Sequence, residues 1–390
     1  MNYPLMSNNI QKEDIDNLIS FLQTSDRFTN GPKVREFEEA WSRWLGVKYS
    51  LFVNSGSSAN FITMAALAER IGGAEKKEVI VPAISWESDI ASVITTGFKP
   101  VFVDVDFHNM AMAHDLILQA ITEKTAAVFI THVLGLNALN DALVNELNAR
   151  NIPLIEDVCE SHGTMVGDKK AGTIGFASNF SFYYAHHMST IEGGMICTND
   201  KEFYSLCRMF RSHGMLRECD DEGLKTEVCQ EYPELHPEFI FTVPGFNMRS
   251  TELNAVIGLS ALHRLDQNIE KRRENFSLFL SNLDSEKYFT DFDTEGNSNY
   301  AFVIILREEY KNRYDILTSI LKNNGVEFRR GTAGGGNLVR QPFVRKRYPV
   351  LNPVDFPNAD YIHYYGIYTG NYPDLSKETI LELCRLLNSI

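Results

Sequence analysis

The chain has 390 residues, 44% of them hydrophobic and 23% charged, with a formal net charge of -14 and a pI near 5.2. That length predicts two or three domains, or one large α/β domain with a smaller one attached, and the composition suits a sizeable core. The acidic balance excludes a protein that wraps nucleic acid, which needs clustered Lys and Arg, but leaves room for one phosphorylated ligand in a local pocket.

The first residues, MNYPLMSNNIQKEDID, lack a basic stretch followed by an apolar one, and no apolar run reaches membrane-spanning length. A cytoplasmic protein without membrane contact is therefore expected. Six cysteines are scattered along the chain without a CxxC pair, the pattern of reduced thiols. Cys219 and Cys229 lack the two further thiolates that an iron–sulfur cluster usually takes.

In chain order, Val34, Phe37, Trp41 and Leu45 stand at helical spacing, with Gly46 as the stop. A strand over 49–53, a Gly/Ser turn and a helix over 57–71 follow. Short apolar runs at 78–83, 100–106, 126–132 and 152–158 then alternate with helical segments at 110–122 and 137–150. This alternation predicts βαβ units and a mostly parallel sheet. Two more strands are predicted at 178–184 and 194–199. Beyond residue 250 the pattern becomes α+β: a long helix or a helical pair over 250–284, a strand over 299–307, a helix over 309–323, a strand over 326–330 and a helix over 376–388. GTAGGG, residues 331–336, reads as a loop. The division expected is 1–250 for the large α/β unit with an N-terminal arm, and 251–390 for a small C-terminal α+β domain.

Three segments carry candidate chemistry. NSGSSAN (54–60) sits between a strand and a helix, where free N–H groups and hydroxyls can hold an anion, or simply cap the helix. LIEDVCESHG (154–163) places Asp157 at a strand's carboxyl end, where open α/β sheets bind ligands and where a cap is the ordinary alternative. FSFYYAHHMSTIEGG (180–194) sets two adjacent histidines between an aromatic strand and a Gly-Gly turn. A lone histidine is usually structural. Adjacent histidines on a strand point to opposite faces, and no further ligand has metal-site spacing.

In this order and spacing the segments resemble the DegT/DnrJ/EryC1 family of sugar aminotransferases, which have the type I aspartate-aminotransferase fold. FTNGPKVREFEEAW (28–41), IVPAISW (80–86), RSHG (211–214) and VPGFNMRSTELNAVIGLSAL (243–262) extend the resemblance over nearly the whole chain. It implies pyridoxal phosphate (PLP) or its amine form PMP as cofactor. Gly56, Ser57 and Ser181 would hold its phosphate, Trp86 would stack on the ring, and Asp157 would keep the ring nitrogen protonated. Asn247 would reach the phosphate of a neighbouring subunit, which implies a homodimer with shared sites.

Two positions depart from the family pattern. The Schiff-base lysine is replaced by His186, six residues before the Glu192-Gly193-Gly194 turn, and the usual Gln three residues after the Asp is Glu160. Both departures are similar to the NDP-4-keto-6-deoxyhexose 3-dehydratase branch. One type in that branch acts on CDP-sugars and adds a cysteine-bound iron–sulfur cluster; GGNLVRQP (335–342) resembles it, whereas the cysteines do not. The branch implies loss of the C3 hydroxyl of a GDP- or CDP-linked 4-keto-6-deoxy sugar, with ammonia release and L-glutamate as amino donor. Histidine's reference pKa of about 6.5 suits a general base, so His186 is expected to be the acid/base and His187 structural. Glu160 would bond the ring hydroxyl. His213, Arg217 and Arg329 would bind substrate or glutamate carboxylates, Arg329 through a guanidinium fork.

Overall fold

The run Thr125–Thr131 is buried along its whole length, as a strand covered on both faces should be. In the computed structural model, which describes residues 2–7, 9–72 and 75–390, it is β4 of a seven-stranded sheet. Helices α1 (Lys12–Thr24) and α2 (Pro32–Leu45) precede β1 (Tyr49–Val53). Then α3 (Gly56–Ile71) leads to β2 (Glu78–Pro82), α4 (Glu87–Thr95) to β3 (Lys99–Val103), α5 (His114–Ala120) to β4, and α6 (Asp141–Ala149) to β5 (Leu154–Asp157). A small hairpin, β6 (Met165–Val166) with β7 (Lys169–Lys170), stands apart before β8 (Ala177–Ser181) and β9 (Gly194–Thr198).

The sheet order is β1-β9-β8-β5-β4-β2-β3. Strands β3, β2, β4, β5 and β8 are mutually parallel, and β9 runs against both β8 and β1. Alternate residues feed two separate cores. Ala127 and Phe129 of β4 join Leu51, Val53 and Ile155 on one face. Val128 and Ile130 join Phe52 and Ile80 on the other, where Trp41 of α2 packs edge-on against Phe180 and Phe182 at 5.1 and 4.8 Å. The outer strand β1 is tied down by charge. Glu38 of α2 accepts from Phe52 N at 2.8 Å, and Arg211 bonds both Glu38 and the Phe52 carbonyl.

After β9 come α7 (Lys201–Arg211), α8 (Glu222–Glu231), α9 (Glu252–Leu262) and α10 (Leu265–Asn282). The predicted 250–284 helical stretch is thus a pair, broken at His263–Arg264. Then follow β10 (Ala301–Ile305), α11 (Tyr314–Asn323), β11 (Phe328–Arg330), α12 (Pro342–Arg347), α13 (Pro357–Tyr365), β12 (Gly366–Gly370) and α14 (Lys377–Asn388). Its three strands form an antiparallel sheet, β10-β12-β11. The 331–338 loop reaches back to the large sheet: Leu338 N donates to Ala83 O at 2.8 Å. No helix among the described residues is long and apolar enough to cross a membrane.

Register places the motifs on one edge. Thr131 and Asp157, the last residues of β4 and β5, pair with each other, and Asp157 also pairs with Asn179 in the middle of β8. Gly194 lies opposite both Ser181 and Val53. A Cβ on Gly194 would stand 2.3 Å from Ser55 O and 2.7 Å from Gly56 N, so only glycine lets the β1–α3 turn close against β9. Gly194→Ala should therefore lose about 1–3 kcal/mol by overpacking, read as a lower urea midpoint with an unchanged m-value, and should weaken anion binding at that turn. An unaltered midpoint would mean the turn relaxes freely.

Candidate active site

The first wall of the site is the start of α3. Ser55 caps the helix, its hydroxyl accepting from Ser58 N at 3.0 Å. Gly56 lies so close to β8 that a Cβ there would meet the Ser181 Cβ at 2.6 Å and Cys159 Sγ at 3.0 Å. Gly56, the half-buried Ser57 and Ser181 thus meet at a helix N-terminus, whose free N–H groups and dipole favour an anion. Trp86, just ahead of α4, leaves its indole 55% exposed rather than packed in the core.

Asp157, at the end of β5, is buried. Its Oδ2 accepts from Asn60 Nδ2 at 3.0 Å, and its Oδ1 accepts from Cys159 N at 2.9 Å. Three residues after Asp157, Glu160 accepts from Leu134 N through Oε2 at 3.0 Å. Burial pushes its carboxyl up to about 8, with the Asp157 charge adding to the rise and the Leu134 amide opposing it. At neutral pH Glu160 therefore carries a proton and can donate as well as accept.

His186 sits in a closed loop rather than on a strand. β8 stops at Ser181, and residues 182–193 turn back so that Phe182 N bonds Gly193 O and Thr190 N bonds Phe182 O, each at 2.9 Å. Asn254 of α9 fastens the loop through the Thr190 and Glu192 carbonyls, and Asn9 donates to His186 O at 2.7 Å. The expected opposite facing of the two histidines is therefore not found: both rings lie against His162, at 6.2 and 5.3 Å. An extended chain alternates its faces, but a turn does not. His187 is buried and bonds Ser298 O at 3.1 Å.

The His186 Nδ1 is buried without a partner, and its ring stands 5.6 Å from that of Tyr300. Burial, then the Arg272 guanidinium, lowers the imidazole to about 3. Arg272 of α10 is itself fully buried and donates to the carbonyls of Tyr300, at 2.8 Å, and Asn371. His186 is thus a neutral imidazole at neutral pH, where Glu160 is a neutral acid. Environments that push two groups apart in this way set up an acceptor and a donor of protons.

Arg329 opposes Tyr368 across β11 and β12, and the Tyr368 ring is 6.3 Å from Tyr300, which links it to His186. His213, Arg217 and Asn247 are exposed on the 212–249 surface. His213 has a left-handed backbone, φ 63°. Arg217 pairs with Glu238 at 3.2 Å and lies over the Phe239 ring. Asn247 accepts from Arg249 Nε at 3.0 Å. None of these bonds ties the three to the His186 group. Tyr300, Tyr368 and Arg272 went unread in the sequence, because nothing local marks an aromatic or a helical arginine as a neighbour of residue 186. Among the described residues no group of three or more His, Cys, Asp or Glu could hold a metal.

Residues 8–388 match the DegT/DnrJ/EryC1/StrS aminotransferase family. The chain belongs to this family. It is similar to GDP-4-keto-6-deoxy-D-mannose 3-dehydratase of Yersinia pseudotuberculosis, with 32% identity over 99% of this chain and 98% of that protein. Among solved structures it superposes on the Escherichia coli GDP-4-keto-6-deoxy-D-mannose-3-dehydratase with bound hydrated PLP, at 29% identity, 99% of both chains and a TM-score of 0.88. A GDP-4-keto-6-deoxymannose-3-dehydratase with a trapped PLP-glutamate geminal diamine gives 0.86 at 29% identity, covering 99% of this chain and 100% of that one. The fold is accordingly the type I α/β fold expected from the sequence, with its large mostly parallel sheet.

The Glu160 environment has a measurable consequence. An acid raised from its unfolded value of about 4.3 to about 8 stabilises the fold while protonated and loses that contribution as pH rises through the folded value. Glu160→Gln should escape the loss. The Tm of the variant relative to the parent protein should therefore climb between about pH 5 and pH 8 and level off above. A pH-independent difference would show that Glu160 titrates as an ordinary surface acid.

Proposed function

We infer that this chain is a PLP/PMP-dependent lyase that removes the C3 hydroxyl of a nucleotide-linked 4-keto-6-deoxyhexose. The observation that carries the reading is His186: an imidazole with an unpartnered Nδ1 stands where the family places its Schiff-base lysine. The relatives named above support the substrate class, and GDP is favoured over CDP because the named dehydratases act on a GDP-sugar.

The residues fit the cofactor. The α3 N-terminus with Gly56, Ser57 and Ser181 suits its phosphate, and the exposed Trp86 face suits its ring. Asp157 suits the ring nitrogen and Glu160 the ring hydroxyl. The bound amine form supplies the nitrogen that condenses with the C4 ketone and the conjugated ring that takes up electrons as the C3 hydroxyl departs. His186, neutral at working pH, accepts the proton from the carbon bearing that amine and can return one to the leaving oxygen. With His186 in place of the lysine, that position would not hold the cofactor covalently, and its nitrogen would leave on the product as an imine that water hydrolyses to ammonia. Over a full cycle the C3 oxygen would leave as water, as many waters would be consumed in hydrolysis as are formed, and the sugar would take up the two electrons that glutamate gives up. Glutamate becomes 2-oxoglutarate, and one ammonia is released.

Arg329, beside Tyr368, suits the glutamate carboxylate. Asn247, His213 and Arg217 are exposed as residues serving a second subunit would be, and a homodimer with shared sites accounts for all three. Residues 1–250 would hold the cofactor and 251–390 the small domain that contributes Arg329.

Incubation of the protein with PLP, glutamate and GDP-4-keto-6-deoxymannose should release ammonia and yield a 3-deoxy-4-keto sugar. An amino sugar product would overturn the lyase reading in favour of transamination. His186→Lys should abolish dehydration and create a cofactor adduct that borohydride fixes to the protein, which the parent protein lacks. Dehydration that survives the change would remove His186 as the base.

A further inference from the structure

Two acids, not one, meet at the end of β5. Asp89, in the first turn of α4, is fully buried, and its side chain is in hydrogen-bonding contact with that of Asp157. Asn60 Nδ2 donates to Asp89 Oδ1 at 2.8 Å and to Asp157 Oδ2 at 3.0 Å. Thr131 Oγ1, from the end of β4, donates to Asp89 Oδ2 at 2.7 Å. The same nitrogen also lies 3.1 Å from Ser88 Oγ, and the Asn60 Oδ1 is left buried without a partner. Burial first and then Asp157 oppose ionisation of Asp89, while the Thr131 and Ser85 hydroxyls favour it. The other titratable groups facing the pair are the Cys159 thiol and Glu160, both raised by burial and so neutral at pH 7.

Two touching carboxylates shut away from water cannot both ionise, so one of them keeps a proton. Asp157 accepts a backbone N–H from Cys159, whereas Asp89, which burial pushes up, accepts only from a shared amide and a hydroxyl. We propose that Asp89 and Asp157 share a single proton, with Asp89 the donor, and that Asp89 is a positioning residue for the carboxylate that faces the cofactor ring. The donated bond fixes the Asp157 rotamer and withdraws charge from it, which moderates how strongly it holds a ring proton. The pairing belongs to the chain alone. Its bearing on the ring rests on the reading of Asp157 under Proposed function.

Asp89→Asn keeps the shape, a donor toward Asp157 and the acceptor for Thr131, giving up the acceptor for Asn60; Asp89→Leu removes every polar contact. In full-length protein carrying side-chain carboxyl 13C-aspartate, without cofactor at neutral pH, the infrared spectrum should show a protonated carboxyl C=O band that shifts with the label. That band should vanish in Asp89→Asn. A missing band, or one that persists in Asp89→Asn, overturns the pair. The label separates it from the protonated Glu160. With PLP added, Asp89→Asn should bind within about threefold of the parent and keep its absorption maximum, whereas Asp89→Leu should lose about tenfold or more in affinity, the effect of one charge-assisted hydrogen bond, and shift the maximum. Equal damage in both variants overturns the positioning role. If even the parent protein fails to bind PLP, the cofactor reading falls, and the infrared band still decides the pair.

Discussion

Gly194 opens β9 opposite both Ser181 and Val53, and the space a side chain would need there is filled by the backbone of Ser55 and Gly56. That close approach depends on β9 running against its two neighbours. The reversal brings the first residue of β9, not its last, to the edge where the parallel strands end. The β1–α3 turn, the end of β8 and the closed loop of His186 then converge on one side of the sheet. Asp157 arrives at the same edge through parallel pairing with β4 and β8. The site is therefore a consequence of strand order and register. Its side chains are held by elements whose other residues are locked in the two cores, which is the rigidity that a proton-transfer site needs.

Within that frame, burial governs the charge. His186 is pushed down, Glu160 and Asp89 are pushed up, and Cys159 is pushed up beside them. Four titratable groups in one small volume are thus neutral in the folded protein. Each stores a proton, or the room for one, in a place where water does not set the exchange. An anion-accepting helix terminus at Gly56 and an exposed indole at Trp86 complete a surface that is polar in geometry yet low in net charge.

The sequence made the seven strands of the large sheet and the motif positions legible, because buried parallel strands write themselves as short apolar runs and the turns carry their glycines, whereas β12 and the β6–β7 hairpin were not read from it. What it concealed was of two kinds. Helix α1 escaped notice because it presents Ile15, Ile19 and Leu22 outward and buries only Asp14, so no inward stripe marks it. The predicted strand 178–184 overran β8 because the aromatic residues Tyr183 and Tyr184 favour extended chain, while the actual backbone is bent by the Phe182–Gly193 and Thr190–Phe182 bonds. Long-range partners were beyond reading in principle. Asp89 looks like an ordinary acid in a first helical turn, and Arg272 like a solvated residue on a long helix. Only the packing turns them into neighbours of Asp157 and His186.

Arg272 also bears on why an imidazole is tolerated where the family has an amine. A buried guanidinium disfavours any second positive charge beside it, whichever base occupies position 186. A lysine there would be driven toward the free amine that attacks a carbonyl. A histidine is driven toward the free imidazole, which cannot form a lasting bond to that carbonyl but can take a proton. On the function proposed above, the same surroundings would prepare either reagent, and the side chain at position 186 would decide whether the cofactor is held covalently or acted on from a distance. The lowering to about 3 comes from burial first and then from the Arg272 guanidinium.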